Sequence, residues 1–351
     1  MEKTVTIGKR AVGDGQAVYI IAEAGINHNG DVDRAKEMVD TARVCGADAV
    51  KFQKFRARDF IASPGLTYTY RSQGKTVTEP MLEMFSRYEF DEDGWREIFA
   101  HGHRSGIDIF ATPQNPADLD FLLSLADLPA IKVGSDDLTN LELLEYYAGK
   151  GKPLIISAGM ACISEIDDAV GAVRGAGNES LIILHCTSSY PAPPDQVHLR
   201  KILTIRRAFG TVVGFSDHTV GSVAAVGAVA LGAAVVEKHF TLDRDLPGPD
   251  HWFSADPGEL AGYVRDVRSV EKALGDGRVV PTAEEISMRA MARRSITAAR
   301  KIERGEVITR DAVTFKRPGT GLQPKLLFLV LGKRAKRTIR ENEQITLGMI
   351  G

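Results

Sequence analysis

Two histidines close consecutive apolar segments in the second half of the chain. His218 ends the segment VVGFSDH, and His239 lies in the segment VVEKHFT. If these segments are neighbouring parallel strands, both imidazoles project into one mouth and can bind a single divalent metal ion. Two histidines with oxygen donors and room for a substrate suit Mn, Mg-like ions or Fe better than a closed structural zinc. We therefore predict a divalent metal site, Mn or Mg, ligated by His218 and His239, with water or substrate supplying the missing ligands.

Two lysines, Lys51 and Lys132, close two other apolar segments. Two ammonium groups that converge on one cavity are costly unless an anion compensates them, and phosphate is the natural guest. Hydroxyl donors for such an anion follow further segments, at Ser135, Ser157 and Ser216. The alternative is that each lysine is a rim charge or forms a salt bridge with Glu23 or Glu237.

For three other polar residues, both a chemical and a structural role are considered. Glu23 ends the first segment, where it either holds a water or acts as a general base near the metal, or else pairs with Lys51. His185 is either functional or a satisfied barrel histidine. Cys186 and His185 point in opposite directions on a strand, which excludes a cysteine nucleophile activated by that histidine.

All of these residues belong to short β-branched segments that alternate with stretches of helical apolar spacing. The eight segments are Tyr19–Gly25, Ala49–Gln53, Ile107–Pro113, Ala130–Asp136, Pro153–Gly159, Leu181–Thr187, Val212–His218 and Val235–Thr241. The alternation predicts parallel strands with crossover helices, here a closed (β/α)8 TIM barrel of the α/β class. An open doubly wound sheet is the competitor, but the residues AGINHNG after the first segment lack the GxGxxG pattern.

In such barrels the active site lies at the carboxyl ends of the strands. Polar residues that close the predicted strands are therefore the first candidates. They are Glu23, Lys51, Gln53, Thr112, Lys132, Ser135, Ser157, His185, Ser216, Asp217, His218, Glu237, Lys238 and His239.

The barrel pattern does not cover the whole chain. Val5–Ile7 and Val18–Ile20 flank Gly13–Gly15, which predicts a hairpin that closes the bottom of the barrel. Lys54–Phe90 is a long connection, and such connections often carry function. After Gly275 the alternation stops, Gly275–Gly277 followed by Pro281 indicates a domain boundary, and the residues of 293–351 have strand-like pieces with no strong helical face. We therefore predict a barrel domain over 1–275, a linker over 276–292 and a small, mostly β domain over 293–351.

The small domain contains a weak internal repeat. Arg300, Ile302, Glu306, Ile308 and Thr309 recur in order and spacing as Arg337, Ile339, Glu343, Ile345 and Thr346. The repeat predicts two similar β units within one domain.

Composition narrows the class of protein. The 351 residues are 44% hydrophobic and 26% charged, which is typical of an ordinary globular protein, and the net charge of -2 gives no global case for a nucleic-acid partner. The three cysteines lack CxxC spacing, which argues against a disulfide framework or a thiolate zinc site. Since neither a signal segment nor a membrane-spanning run is recognisable, we expect a cytoplasmic protein with no membrane partner.

Several motifs together resemble the sialic acid synthase family, enzymes that condense phosphoenolpyruvate with an N-acylated six-carbon sugar. The motifs are IAEAGINHNG from Ile21, VKFQ from Val50, IKVGSDD from Ile131, LIISAGMA from Leu154, LHCTSSYPAP from Leu184, GFSDHTVG from Gly214, EKHFTLDRDLPGPDHWFS from Glu237 and KRPGTGL from Lys316. The resemblance covers nearly the whole chain. It implies a barrel followed by an antifreeze-like (SAF) domain, in a domain-swapped homodimer whose SAF domain reaches over the partner's active site.

The resemblance also implies roles for individual residues. His218 and His239 would bind the metal, and Glu23 would work beside the metal and the attacking water. The residues implied to receive the phosphate of phosphoenolpyruvate are Lys51, Lys132, Ser135, Ser157 and Ser216, with Thr112 near its carboxylate. The residues implied to contact the sugar are Gln53, Tyr190, Asp250 and, from the other subunit, Arg317. Asp137 stands at a position where many members have glutamate, and we include it as a catalytic candidate with an undecided role relative to Asp136.

Two other functions stay open on sequence grounds. A related phosphoenolpyruvate-aldose synthase that makes a deoxy-octulosonic or heptulosonic phosphate would usually need cations for a second phosphate. A non-catalytic carbohydrate-binding or ice-binding module would leave the converging lysines and histidines unexplained. The sugar also stays open among N-acetylmannosamine, its 6-phosphate and diacetamido sugars leading to legionaminic or pseudaminic acid. We expect specificity from the Lys54–Phe90 connection, through Arg56, Arg58, Tyr68, Tyr70 and Arg71.

Overall fold

Eight parallel strands form the central sheet in a computed structural model that describes residues 3–351. They are β1 (Tyr19–Gly25), β2 (Ala49–Lys54), β3 (Asp108–Pro113), β4 (Ile131–Val133), β5 (Leu154–Ser157), β6 (Leu181–Cys186), β7 (Val212–Asp217) and β8 (Val235–His239). Their order is β3-β2-β1-β8-β7-β6-β5-β4, and β3 also lies against β4, so that the sheet nearly closes on itself. This confirms the predicted α/β barrel.

Helices cover the outside of the barrel between the strands. They are α1 (Val32–Val44), α2 (Glu92–Ser105), α3 (Pro116–Leu125), α4 (Leu141–Ala148), α5 (Ile163–Gly175), α6 (Lys201–Phe209), α7 (Val223–Ala230) and α8 (Pro257–Leu274). Side-chain caps fix where several of them begin, because a polar side chain accepts from otherwise unpaired amide groups of the first turn. Asp31 caps α1, Asp91 caps α2, and Asn115 caps α3 just before Pro116.

Strict alternation along each strand decides which side chains reach the barrel interior. In β8, Val235 packs into the interior apolar cluster and Val236 packs into the outer cluster beneath the helices. The same period places Glu237 and His239 on the inner face and Lys238 on the outer face. The interior is apolar at the amino ends of the strands and polar at their carboxyl ends.

An amino-terminal hairpin packs on the apolar end of the barrel. Its strands are Thr4–Ile7 and Arg10–Gly13, and Val5, Ile7 and Val12 join the interior cluster. The predicted position of the hairpin is confirmed, but the predicted second strand, Val18–Ile20, is wrong. The chain reverses earlier, at a two-residue turn in which Gly8 has a φ of 55°, a value that glycine adopts without strain.

The long connection after β2 has its own structure. It contains the short helices Ala57–Phe60 and Met81–Ser86, which flank an antiparallel hairpin of Thr67–Ser72 and Lys75–Pro80. A further short helix, Pro194–Val197, precedes α6, and a 3-10 turn, His251–Phe253, follows β8.

The chain separates into two compact units, the second of which is Asp276–Gly351. The second unit contains helix α9 (Ala283–Ala292), the antiparallel strands Ser295–Ala298 and Val313–Lys316, and three 3-10 turns at Arg310–Ala312, Pro324–Leu329 and Leu347–Met349. Helix α9 lies within 276–292, the stretch predicted as a linker. Its start is a capping box in which Thr282 and Glu285 bond each other's backbone amides, a TxxE signal in the sequence.

The internal repeat of the second unit is confirmed by its hydrogen bonds. Arg300 pairs with Glu306 at 2.8 Å, and Arg337 pairs with Glu343 at 2.7 Å in the same arrangement. Ile302 and Ile339 exchange both backbone hydrogen bonds, each at 2.9 Å, so the two halves meet at a local two-fold axis. Within residues 3–351, no helix has both the length and the apolar character needed to cross a bilayer.

Candidate active site

A buried ion pair occupies the polar end of the barrel interior between β1 and β2. The Lys51 Nζ lies 2.7 Å from Glu23 Oε2 and donates a hydrogen bond of 2.9 Å to Thr112 Oγ1 on β3. All three side chains are buried. The predicted pairing of Lys51 with Glu23 is therefore present, and Thr112 joins it from the next strand.

A second buried lysine lies across the same interior. The Lys132 Nζ donates to Ser157 Oγ at 2.7 Å and lies 4.0 Å from Glu237 Oε1. The other oxygen of Glu237 lies 3.8 Å from Lys51 Nζ, and Ser216 donates to Glu237 at 2.9 Å. Glu237 thus lies between the two lysines, and seven of the eight strands, all but β6, contribute to this polar cluster.

The two carboxyl groups of this cluster have opposite pKa shifts. Burial, together with the charge of Glu237, raises the pKa of Glu23 to about 7 in spite of its contact with Lys51. For Glu237 the cost of burial is outweighed by Lys132 and Lys51, which lower its pKa to about 2. A pair of carboxyl groups whose pKa values are driven apart divides into a fixed anion and a group that exchanges a proton near neutral pH. The direction of the two shifts makes Glu237 the candidate for the fixed anion and Glu23 the candidate for the proton-exchanging group.

His218 and His239 face each other beside this cluster. Their ring centroids are 5.5 Å apart. The Nδ1 of His218 lies 2.8 Å from the Thr187 carbonyl, and the Nδ1 of His239 is buried with no hydrogen-bond partner within the described part of the chain. Burial and the neighbouring His218 hold the pKa of His239 well below its usual range, so its ring is neutral and free to ligate.

These two histidines have the donor chemistry that a metal ion needs. A carbonyl that receives the Nδ1 proton of His218 leaves the other nitrogen available as a ligand, an arrangement that is common in metal sites. Within residues 3–351, no group of three or more His, Cys, Asp or Glu side chains is arranged to hold a metal. An ion bound at this position would therefore take its further ligands from water or substrate.

The rim of the site is built by loops that follow the strands. Tyr190 packs 4.1 Å from the His218 ring, and Phe253 packs 5.1 Å from Tyr190, both as centroid distances. The Nε2 of Gln53 lies 3.5 Å from Glu23 Oε1. Burial raises the pKa of Asp250 to about 6. Asp250 belongs to the same rim, since its Oδ2 and the Nε2 of Gln53 each lie 3.7 Å from the Cβ position of Gly25.

The loops after β4, β5 and β6 meet closely at a glycine. Ser135 accepts a hydrogen bond of 2.9 Å from the Gly159 amide. A Cβ at Gly159 would lie 2.3 Å from Ser188 Oγ and 2.6 Å from Ser135 Oγ, so a side chain at this position would push the loops apart. Ser135 is thereby held beside the lysine cluster.

The hairpin of the long connection reaches the loop after β8. Gln73 donates to the Asp245 carbonyl at 2.8 Å, and Ser72 accepts from the Gly248 amide at 3.1 Å. The Arg71 guanidinium lies 5.5 Å from the centre of the Trp252 ring. Arg71 therefore stands near the rim, whereas Arg56 lines a separate outer cavity with Lys54 and Asp118.

Two of the predicted residues, Asp137 and His185, lie apart from this cluster within the barrel unit. Asp137 is half-buried and accepts from Asn140 at 3.4 Å, and it is Asp136 whose charge acts on Lys51. His185 faces outward and bonds the Val197 carbonyl at 2.6 Å, which is the structural role. Arg317 belongs to the second unit, where its Nε donates to the Ala292 carbonyl at 2.9 Å.

Two interior residues have a larger part in the site than the sequence predicts. Glu237 is a predicted strand-end candidate and lysine partner, and the structure places it at the centre of the cluster. Cys186 has no predicted role, yet its Sγ lies 3.8 Å from the Nδ1 of His218. Strand alternation is the signal that identifies both, because they share the strand face of Leu184 or His239.

Comparison with known protein families decides what this arrangement belongs to. The NeuB family model matches residues 38–279, which include most of the barrel and both histidines. The chain belongs to the NeuB family. A second family model, the SAF domain, matches residues 293–351.

Relatives in the NeuB family support this assignment over nearly the full length. The chain is 38% identical to the N,N'-diacetyllegionaminic acid synthase of Legionella pneumophila, with 93% of each chain covered. It is 37% identical to the human N-acetylneuraminate-9-phosphate synthase, with 96% of this chain and 93% of that protein covered. The structure of a sialic acid synthetase from Leptospira borgpetersenii, in complex with citrate, covers 82% of this chain and 97% of its own with a TM-score of 0.74 at 34% identity.

Proposed function

We propose that this NeuB-family enzyme condenses phosphoenolpyruvate with an N-acetylated hexosamine, either N-acetylmannosamine or a diacetamido-trideoxyhexose, to give a nonulosonic acid and phosphate. The observation that carries the proposal is the convergence of Lys51 and Lys132, 3% and 2% exposed, on the same interior as His218 and His239. Family membership supports the reaction class. The names of the relatives include both legionaminic and neuraminate products, so the sugar class is taken from their shared N-acetylated character.

The lysine cluster has the composition of a phosphate site. Lys51 and Lys132 supply two charges, and Thr112, Ser157 and Ser216 supply hydroxyl donors within 3 Å of a lysine or of Glu237. Charge-assisted hydrogen bonds to phosphate are among the strongest that proteins make. A bound dianion would take over the contacts that Lys51 now makes with Glu23, which frees that carboxyl group to accept or return a proton.

The neighbouring histidines would hold the divalent metal, Mn or Mg. When bound there, the metal supplies a Lewis acid for the aldehyde oxygen of the open-chain sugar. Gln53, Asp250 and Tyr190 then orient the sugar on the rim, and Ser135 and Thr112 orient phosphoenolpyruvate. Holding the two reactants together converts binding energy into proximity.

The reaction balances with these residues alone as proton carriers. The enol carbon C3 of phosphoenolpyruvate attacks the aldehyde carbon, and protonated Glu23 gives the aldehyde oxygen the proton that makes it a hydroxyl. Water adds to the cationic C2, and Glu23 takes a proton back from that water. The C2–O bond to phosphate then breaks, phosphate leaves with the bonding electron pair and receives the proton of the C2 hydroxyl, and the keto acid remains. Lys132 and Lys51 stabilise the charge that develops on the departing phosphate.

We also propose that the working form is a domain-swapped homodimer in which Arg317 contacts the sugar of the partner's site. Two observations support it. The mouth of the barrel carries exposed apolar side chains, with Met160 at 74%, Val220 at 68% and Val223 at 84% exposure, and such patches mark interaction surfaces. Arg317 lies at an exposed loop whose Pro318 carbonyl accepts from Ser295 at 2.7 Å, so the loop is held in place within its own unit.

Release of phosphate tests the reaction directly. Phosphoenolpyruvate with Mn²⁺ should release phosphate only when an N-acetylated hexosamine is added, and mass spectrometry should find a nine-carbon keto acid or its diacetamido analogue. Turnover with arabinose 5-phosphate or erythrose 4-phosphate instead would make the enzyme a deoxy-octulosonate or heptulosonate type. Sugar binding without phosphate release would leave only a carbohydrate-binding protein.

Replacing Lys132 with Met tests the phosphate site. The loss of the charge-assisted contact should weaken the binding of phosphoenolpyruvate by about 1.5–3 kcal/mol, which raises its KM roughly 10- to 100-fold. The KM for the sugar should change less. Lys54→Met is the matched control, because Lys54 is also buried and paired, with Asp118 at 2.9 Å, but faces outward. Equal KM values for phosphoenolpyruvate in the wild type and Lys132→Met would show that Lys132 is structural.

A further inference from the structure

An ion pair lies on the outer face of β7 and β8, directly behind the two histidines, and the role inferred for it rests on the proposed metal site. Asp217 and Lys238 are 0% and 4% exposed, and Lys238 Nζ lies 3.4 Å from Asp217 Oδ2. Each residue immediately precedes one of the histidines. The strand alternation that points His218 and His239 inward therefore points this ion pair outward, toward α7 and α8.

The pair is tied to the residue that follows His218. Asp217 Oδ1 accepts from both the amide and the hydroxyl of Thr219, at 2.8 and 2.7 Å, which fixes the turn around His218. Lys238 Nζ donates to the carbonyl of Thr219, so the residue before His239 is bonded to the residue after His218. We refer to Asp217, Thr219 and Lys238 as the latch.

The position of the latch coincides with the end of the backbone pairing between the two strands. The β7–β8 ladder ends at the pair Asp217 with Lys238, one residue before each histidine. His239 remains paired with Glu23 of β1, the neighbouring strand on the other side of β8. The carbonyl of His218 accepts a hydrogen bond of 2.8 Å from the amide of Ala192, and so does not pair with β8. The latch therefore provides the link between the β7 and β8 ends at the level where the rings must share one ion.

We propose that Asp217 and Lys238 are positioning residues for the metal site, which set the separation of His218 and His239 without touching metal or substrate. Residues that support metal ligands from behind typically change metal affinity by about 10- to 100-fold when they are replaced. A buried pair must be removed as a whole, because the loss of one partner leaves an uncompensated charge that destabilises the fold. The test is therefore a double variant.

The chain offers a closely matched control pair. Lys54 and Asp118 form a buried outward-facing pair at the end of β2, with an Nζ–Oδ1 distance of 2.9 Å. Lys54 Nζ lies 5.6 Å from the Phe121 ring centre, and Lys238 Nζ lies 5.5 Å from that of Tyr263. The two pairs differ in that neither Lys54 nor Asp118 adjoins a histidine in the sequence.

The experiment measures Mn²⁺ binding to the substrate-free full chain by isothermal titration and by EPR of free Mn²⁺. The double variant Asp217→Asn with Lys238→Met should lower the affinity for Mn²⁺ by about 10- to 100-fold. The control double variant, Asp118→Asn with Lys54→Met, should keep the Mn²⁺ affinity within about twofold of the wild type while its Tm changes by a similar amount. Equal Mn²⁺ affinity in the wild type and the latch variant would overturn the proposal. So would an equal loss in both double variants, which would indicate general destabilisation.

A milder variant keeps the proposal testable if the double variant does not fold. Thr219→Val removes the hydroxyl bond to Asp217 but keeps both charges. It should lower the affinity for Mn²⁺ as well, by a smaller factor than the double variant does. An unchanged affinity would again count against the latch. His239→Ala gives the reference for a lost ligand. If the wild type itself binds no Mn²⁺, the proposed metal site is wrong and the latch has nothing to position, a result distinct from equal binding in all variants.

Discussion

His239→Ala should abolish turnover while the barrel stays folded. In the proposed mechanism, the Lewis acid that His218 and His239 would hold stabilises the transition state by several kcal/mol, so we expect a loss of about 10³-fold or more in kcat. Stability should change little, because the apolar cluster that holds the barrel together lies at the opposite end of the strands. Phosphate release in metal-buffered solution and thermal unfolding measure the two effects.

His185→Ala provides the comparison for this variant. His185 lies on the outer face of β6 and bonds the Val197 carbonyl, so its loss should lower Tm and leave kcat nearly unchanged. Near-wild-type turnover of His239→Ala with Mn²⁺ present would refute the two-histidine site. An equal loss of activity in both variants would attribute the effect to the fold.

Arg317→Ala should strongly reduce turnover of the sugar and leave the binding of phosphoenolpyruvate unchanged. In the proposed dimer the guanidinium bonds the acylamino group of the sugar, and charged hydrogen bonds of this kind contribute about 1.5–3 kcal/mol, so kcat/KM for the sugar should fall by roughly 10- to 100-fold. Arg334→Ala is the control, because it removes another exposed arginine of the same unit, one that bonds the Gly305 carbonyl at 2.9 Å.

Mixing the Arg317→Ala and His239→Ala variants tests whether Arg317 acts on the site of the other subunit. A heterodimer of Arg317→Ala and His239→Ala contains one site with both native residues, so activity should return toward one quarter of the wild-type value in a fully exchanged mixture, as about half the dimers are mixed. Subunit exchange is verified first by mass-tagged chains. Verified heterodimers without activity would contradict donation across the dimer, and full activity of Arg317→Ala alone would remove the residue from the site.

The barrel was predictable because its signal is repeated. Each β-branched segment is followed by an amphipathic stretch, and eight repeats leave little room for another topology. The hairpin at the bottom was only partly predictable, because Val18 has the same apolar character whether it pairs with Val5 or begins β1. Backbone geometry at Gly8 decided between the two, and residue type alone does not reveal a φ value.

The polar cluster was predictable as a set of strand ends but less so as a geometry. Lys51, Lys132 and the two histidines fall on inward positions, and their roles stay predictions until the variants are measured. Asp217 and Lys238 fall on outward positions, a distinction that strict alternation along the strand supplies. The contribution of Glu237 depends on two lysines far away in sequence, which no local pattern encodes.

The local two-fold axis of the second unit has a consequence for its origin. Each half completes its backbone bonding only with the other half, as the reciprocal bonds of Ile302 and Ile339 illustrate. An internal repeat whose two stretches bond each other reciprocally is the pattern that duplication of a short self-pairing segment produces. The segment Lys316–Gly321 lies between the two repeated stretches, Arg300–Thr309 and Arg337–Thr346, and belongs to neither. Substitutions there leave the reciprocal bonds of the repeat in place, and this is the segment that carries Arg317.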